Sequence, residues 1–247
     1  MTDAPHAIPP EPGRPDPAAA PAPDPVETAR ERLLEALPSH VAFDGWSQPA
    51  IDAAAADVDV DAELARLAFP RGGVDAALAF HRRGDRLMAE RFEAESHLGM
   101  GFTDKVTRCV RLRLEVVATH REAARRAASL FALPIHAADG ARALWDTADA
   151  IWTTVGDTSD DANWYTKRAT LAGVYSSTAL YWLGDESPGY TATWDFLDRR
   201  IADVMRIEKT KADLRKNPFT RPLMTVGDRL AKVVKPPRDR RPTSPAY

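Results

Sequence analysis

Sulfur is scarce: the 247 residues hold one cysteine, Cys109, so no disulfide can staple the chain and stability has to come from packing. No apolar run approaches the roughly 20 residues that cross a bilayer, which excludes a helical membrane span. The opening "MTDAPHAIPPEPGRPDP" has neither the apolar stretch of a secretory signal nor the Arg-rich, acid-poor pattern of a transit peptide, so a reducing, cytoplasmic setting is expected. Glycine-rich phosphate loops, Gly-x-Ser-x-Gly and Cys-x-x-Cys are missing, and the six histidines are scattered away from any nucleophile at a familiar spacing. No catalysis, metal or cofactor is therefore expected.

What is present is helical. Apolar residues recur at three and four rather than at two, with Gly or Pro at the breaks. Helices are expected near 26–37, 47–57, 61–68, 73–98, 103–132, 137–155, 163–183, 189–206 and 219–234, giving an all-α protein. Nine of the twenty prolines lie in residues 1–25 and four in residues 236–247, so both ends are expected to be disordered tails. Between them the chain divides into a helix-turn-helix-like module at 26–98, a helical body at 99–206, and a linker with an amphipathic helix at 207–235. Charge is uneven: Asp203 to Arg241 carries twelve Lys/Arg against five Asp/Glu, within a total of −3. That basic end calls for an anionic partner, either nucleic acid or an anionic membrane surface.

The stretch from Ala29 to Arg91 resembles the N-terminal module of TetR-type proteins in spacing and apolar pattern. A helix precedes the turn "FDGWSQPAI", two short helices follow, and "FPRGGVDAALAF" opens a fourth. A DNA-reading helix needs cations and hydroxyls to hold phosphates. Here Asp44, Asp52, Asp57, Asp59, Asp61 and Glu63 face Arg66 alone, so nucleic acid would be repelled. The module reads as a degenerate scaffold.

Two apparent metal patterns fail on inspection. "DTSDDANW" sets Asp157, Ser159, Asp161 and Asn163 at alternate places, as a calcium loop begins, but the required Gly and Glu positions hold Ala162 and Arg168. These acids read better as helix N-terminal residues. Glu93 and His97 stand four apart without a second such pair, which reads as an exposed ion pair. Cys109 lies on an apolar stripe with Val106, Val110 and Val117, as a small core residue does.

Large rings concentrate between Leu144 and Leu197. On the helix expected from Asn163, Trp164, Arg168, Leu171, Tyr175, Thr178 and Trp182 share one stripe, and Val174, Leu180, Tyr181 and Leu183 extend the apolar surface beyond it. Such a helix is either central to a core or lines a cavity.

The segments "GDTSDDANWYTKR" and "FLDRRI" identify a resemblance, running from about Val26 to Met205, to the coenzyme Q (ubiquinone) biosynthesis accessory proteins of the Coq-nine family, lipid-binding members of the TetR structural superfamily. The resemblance implies a homodimer whose apolar pocket holds an isoprenoid quinone precursor, or a phospholipid, and which assists the di-iron demethoxyubiquinone hydroxylase without catalysis of its own. Candidate pocket residues are Trp145, Trp152, Leu171, Val174, Tyr175, Thr178 and Trp182. The family's Asn-Trp-Tyr segment, by resemblance, assigns Asp161, Trp164, Tyr165 and Arg168 to the hydroxylase interface. A ligand-responsive TetR-type regulator is the alternative, disfavoured by the acidic recognition region.

The last segment, "NPFTRPLMTVGDRLAKVVKPP", gathers Phe219, Leu223, Met224, Val226, Leu230 and Val233 on one side of a helix, with Arg221, Arg229, Lys232 and Lys235 elsewhere. Apolar burial and cation attraction together support reversible attachment to a membrane, and the polar linker "KTKADLRKNP" would let the helix swing out. Docking onto the domain is the competing reading; the family's membrane-associating C-terminal helix favours lipid, at the cytoplasmic face of an inner membrane.

Overall fold

A computed structural model describes residues 24–158 and 162–216. Among them all regular structure is helical: α1 (Pro25–Asp44), α2 (Gln48–Asp57), α3 (Ala62–Ala68), α4 (Gly73–Ala94), α5 (Phe102–Glu115), α6 (Arg121–Phe131), α7 (Ala137–Thr154), α8 (Ala162–Gly184) and α9 (Thr191–Lys216). The helix expected at 219–234, the two tails, and Phe219, Leu223, Met224, Val226, Leu230 and Val233 with it lie outside the described residues.

The first three helices form a unit around α1. Asp24 caps α1 by accepting from the Val26 amide at 3.0 Å, Ser47 caps α2, and Asp61 caps α3 through the Glu63 amide at 2.7 Å. Where the sequence predicts a stop before Pro38, α1 continues to Asp44. Leu33, Leu34, Leu37 and Val41 keep the apolar stripe unbroken across the proline, so their burial outweighs the lost backbone bond. Trp46 locks the unit to the body, donating from its indole to the Ala123 carbonyl at 3.1 Å and lying 5.3 Å from the Phe80 ring. The Trp46 carbonyl passes so close to Gly73 that a Cβ there would sit 1.9 Å from its oxygen, so α4 can begin only with glycine.

The body packs α4 between α5 and α7, with α8 on α7 and α9 on α8. Two further expectations change here. The helix predicted over 103–132 is two, broken at Val116–His120 without Gly or Pro. The break swings α6 across the end of α8, where Arg121 donates to the Trp182 and Asp185 carbonyls at 2.8 and 2.7 Å and Arg125 to the Leu183 carbonyl at 2.5 Å. Orphan carbonyls at a helix C-terminus are satisfied by these cations, which also oppose the helix dipole. The segment expected as a linker after residue 206 instead continues α9 to Lys216. Glu93 and His97 do not share a helical face, because α4 ends at Ala94 and His97 stacks on Phe92 at 3.7 Å.

At the α8–α9 turn, Asp185 accepts from the Ser187 amide at 2.8 Å and from the Thr193 amide and hydroxyl at 2.9 and 2.6 Å. Burial pushes its carboxyl up, but these bonds outweigh burial and hold it well below the usual carboxylate range.

Candidate functional site

Between α4, α5, α6, α7 and α8 lies an open cavity of about 430 Å³. Small side chains create it. Ala124, Ala127 and Ala128 on α6 oppose Ala137, Ala141 and Ala143 on α7, and Ala179 faces them from α8. Alanines cannot reach across the gap that three helix axes leave, so the space stays unfilled where leucines would close it. Buried Phe80, Leu114, Val117 and Trp182 make the floor, while exposed Ala132, Ala137, Ala141 and Leu180 form the rim. Leu180 is 65% exposed, and the turn joining rim residues Ala132 and Ala137 carries Leu133 and Ile135 at 49% and 81%.

One part of the floor is polar. Arg113, 2% exposed, donates to Asp85 at 2.6 Å and to the His81 carbonyl at 2.9 Å. Thr147 joins the same carboxylate at 2.8 Å and the His81 ring at 2.7 Å. The guanidinium lies 5.7 Å from the Tyr175 ring, and His81 meets that ring edge-on at 6.4 Å. The network needs a bare backbone beside it: a Cβ on Gly84 would sit 2.6 Å from the guanidinium carbon of Arg113. Burial first, and the Arg113 charge second, lower the His81 imidazole to about 4, so it is neutral at physiological pH. Burial raises the Tyr175 phenol. On the far side, His81 and Ala143 also border a separate polar cleft of about 310 Å³ between Arg71, Arg82, Arg142, Asp139 and Asp146.

Of the seven residues expected around a pocket, Tyr175 and Trp182 line this cavity and Trp145, Trp152, Leu171, Val174 and Thr178 do not. Leu171 and Thr178 are buried on the stripe they share with Trp164 and Val174 is buried beside it, whereas the cavity is met by Tyr175, Ser176, Ala179, Leu180, Trp182 and Leu183. That face is rotated roughly a quarter-turn from the aromatic stripe, at 100° per residue. Trp145 packs on Trp164 and Tyr165 at 5.9 and 6.2 Å, and Trp152 stacks on Phe102 at 5.5 Å beneath Lys167. The sequence reading missed the alanines, His81 and Arg113. A run of small residues on two successive helices was the available signal, and the buried ion pair had none, since its partners lie 28 residues apart.

The Trp-Tyr segment opens α8 with an alternation of roles. Trp164 is 8% exposed and Arg168 3%, so both side chains face inward, while Tyr165 is half-buried and Thr166 exposed. Asp161 lies outside the described residues. Asp157 does more than favour a helix start: it accepts from Lys167 at 2.7 Å and pairs with Arg168 at 3.5 Å, and Arg168 also reaches Asp149 at 2.5 Å. The acids before the helix and the cations inside it are partners across the α7–α8 turn. Elsewhere, Cys109 is fully buried, its thiol pushed up to about 12 mainly by that burial, as a core residue. On α2, α3 and the turn between them the acids Asp52, Asp57, Asp59, Asp61 and Glu63 are all exposed, as is Asp44.

Residues 137–208 match the COQ9 family model, a span covering α7, α8 and most of α9. The chain is 33% identical over 186 residues to the ubiquinone biosynthesis protein COQ9, mitochondrial, of Xenopus tropicalis, covering 72% of this chain and 58% of that protein. To its Homo sapiens counterpart it is 31% identical over 191 residues, covering 74% and 60% respectively. It therefore spans less than two thirds of the length of these relatives. Among solved structures, a TetR transcriptional regulator from Nitrosomonas europaea superposes with a TM-score of 0.58 at 20% identity, covering 71% of this chain and 97% of that one. This likeness establishes the TetR-like fold.

Proposed function

Since the chain belongs to the COQ9 family of ubiquinone biosynthesis proteins, we propose that it is a lipid-binding accessory protein that holds an isoprenoid quinone precursor and presents it to the demethoxyubiquinone hydroxylase at a membrane. The observation that carries this reading is the cavity of about 430 Å³, walled by alanine, leucine and phenylalanine, about half of whose lining residues lie in the segment that matches the family. It falls within the size range of lipid and small-molecule sites. It is too small for a long polyprenyl tail, so the remainder of the tail crosses the rim at Leu180, where exposed Leu133 and Ile135 extend the apolar path. Binding and presentation require no chemistry of the protein, and among the described residues no three His, Cys, Asp or Glu gather to hold a metal.

Three further features complete the reading. Among the described residues no helix is long and apolar enough to cross a membrane, and we assign attachment to the cytoplasmic face of an inner membrane to the basic amphipathic stretch 219–233. The exposed side of the α8 start, with Tyr165 foremost, serves as the hydroxylase patch, with Trp164 and Arg168 behind it as support. A homodimer forms through α8 and α9, where Tyr181 stacks on Phe196 at 4.6 Å while remaining 40% exposed. The DNA-regulator reading draws no support from the recognition region, since its acids lie on the surface that would meet phosphate.

Mass spectrometry of organic extracts from purified protein tests the assignment. Isoprenoid quinone precursors are expected in the wild type and lost in Ala179→Phe, which fills the cavity. Extracts free of lipid, or unchanged by the filling substitution, would remove the carrier role.

A further inference from the structure

Beside the apolar cavity, and bordering it only at His81 and Ala143, lies the polar cleft of about 310 Å³ between α4 and α7. Its floor is buried Leu78 and Ala143 with His81, which is neutral and held by Thr147 at 2.7 Å. Binding capacity therefore comes from the charged rim. Arg71 is balanced there, by Asp75 at 2.9 Å and by Asp139 at 3.1 Å. Arg82 and Arg142 are not: among the described residues neither makes an ion pair or a side-chain hydrogen bond, although Arg83 and Arg86, further along α4, are both held by Glu31. Arg142 and Asp146 stand four apart on α7, the spacing at which helical ion pairs close, yet no ion pair joins them. Partial burial pushes the Asp146 carboxyl up, and the charges of Arg142 and then Arg82 draw it down, so both guanidiniums act on this carboxylate without contacting it.

What stands open is two guanidinium forks and one carboxylate over an apolar floor. Each fork offers paired N–H donors that match the oxygens of a phosphate. A carboxylate only accepts, so it repels a bare anion and is satisfied by a donor that the guest itself carries. A guest with phosphate oxygens and a hydroxyl next to them meets all three groups. Sulfate, without a hydroxyl, meets Asp146 as a like charge. The volume is at the lower end of the range for small-molecule sites, which suits a phosphate on a short polyol.

We propose that the cleft between α4 and α7 is a binding site for a phosphate ester bearing a neighbouring hydroxyl, with Arg82 and Arg142 holding the phosphate and Asp146 accepting from the hydroxyl. Such a group occurs in soluble phosphorylated polyols and in glycerol-type lipid headgroups, and the site reads the chemistry they share. It is distinct from the apolar cavity and stands whether or not that cavity carries a lipid.

Isothermal titration of the full chain with glycerol 3-phosphate, methyl phosphate and sulfate tests the site. Glycerol 3-phosphate is expected to bind saturably and at least about tenfold more tightly than methyl phosphate, the worth of one hydrogen bond to a charged group, and sulfate should bind weakest. Arg142→Ala should weaken both phosphates at least about tenfold, and Arg82→Ala repeats that test from α4. Asp146→Ala should abolish the preference for glycerol 3-phosphate while methyl phosphate binds as before or better. All three side chains are exposed, so the variants should keep the wild-type circular dichroism spectrum. Dioctanoyl phosphatidylglycerol separates the two sources. Binding tighter than that of glycerol 3-phosphate, and lost in Arg142→Ala, assigns a lipid headgroup; equal or weaker binding assigns a soluble ester. No saturable binding of glycerol 3-phosphate, equal affinities for the three anions, or a preference that survives Asp146→Ala overturns the site and leaves the lipid-binding reading of the cavity untouched.

Discussion

The guanidinium carbon of Arg168 lies 3.9 Å from the centroid of the Trp164 ring, one helical turn away, with both side chains nearly sealed from solvent. A cation on an indole face at this burial gains more than an exposed pair does, and Asp149 and Asp157 supply the countercharge. The pair therefore holds α8 against α7 and fixes the direction in which the neighbouring Tyr165, 4.7 Å from Trp164, leaves the surface.

Trp164 and Tyr165 should accordingly separate in experiment. Trp164→Ala is expected to lose about 3–5 kcal/mol of stability in urea unfolding, as large core truncations do. Tyr165→Ala should lose under about 1.5 kcal/mol, yet weaken capture of the hydroxylase in a pull-down at least tenfold. Equal stability losses, or unimpaired capture by the tyrosine variant, would contradict the division of roles.

The Arg113 network should be sensitive to single atoms. Gly84→Ala places a methyl 2.6 Å from the guanidinium carbon and is expected to cost about 1–3 kcal/mol, despite the general preference of helices for alanine. Asp85→Asn leaves Arg113 charged, 2% exposed and unpaired, at a cost of about 3–5 kcal/mol. Thermal unfolding reads both; a stabilising Gly84→Ala would show that the arginine can move aside freely.

His81 makes the fold acid-sensitive in a defined window. Its imidazole titrates near 4 when folded and near 6.5 when unfolded, so between those values the unfolded chain holds more protons. Stability therefore falls as pH drops below about 6.5, by up to about 3 kcal/mol near pH 4 from this group alone, with the carboxylates adding to the loss below about pH 5. His120, also lowered by burial, acts in the same direction. Urea midpoints between pH 7 and 4.5 should decline in the wild type and decline less in His81→Gln; parallel slopes would exclude His81 as the source.

Removal of residues after Lys216 tests the membrane assignment. The shortened protein is expected to lose flotation with anionic liposomes while keeping its circular dichroism spectrum and its cavity ligand. If it still floats, attachment belongs to the described body, with the exposed Leu133, Ile135 and Leu180 rim as the first place to look.

Local signals account for what was legible beforehand. The three-four apolar spacing places most helix starts within a residue or two, because a stripe is set by neighbours in the chain, and in the structure Asp24, Ser47 and Asp61 cap three of those starts. The break before Arg121 was illegible for the opposite reason. Nothing in "EVVATHRE" breaks a helix; the turn exists because Arg121 and Arg125 reach carbonyls some 60 residues later. The aromatic stripe of α8 was read in register, but its choice between core and cavity depended on which helices lie opposite.

By itself the sequence determined the all-helical fold class, the run of exposed acids across the first short helices, the family and the helix on which part of the cavity wall stands, since each follows from residue type and short-range spacing. Only the tertiary structure decided that the cavity opens beside the aromatic stripe and that Arg113, Asp85, Thr147 and His81 meet at its floor. The reason is physical: a void is the space that side chains from several helices fail to fill, and a buried ion pair forms between groups that the chain brings together only after it has folded.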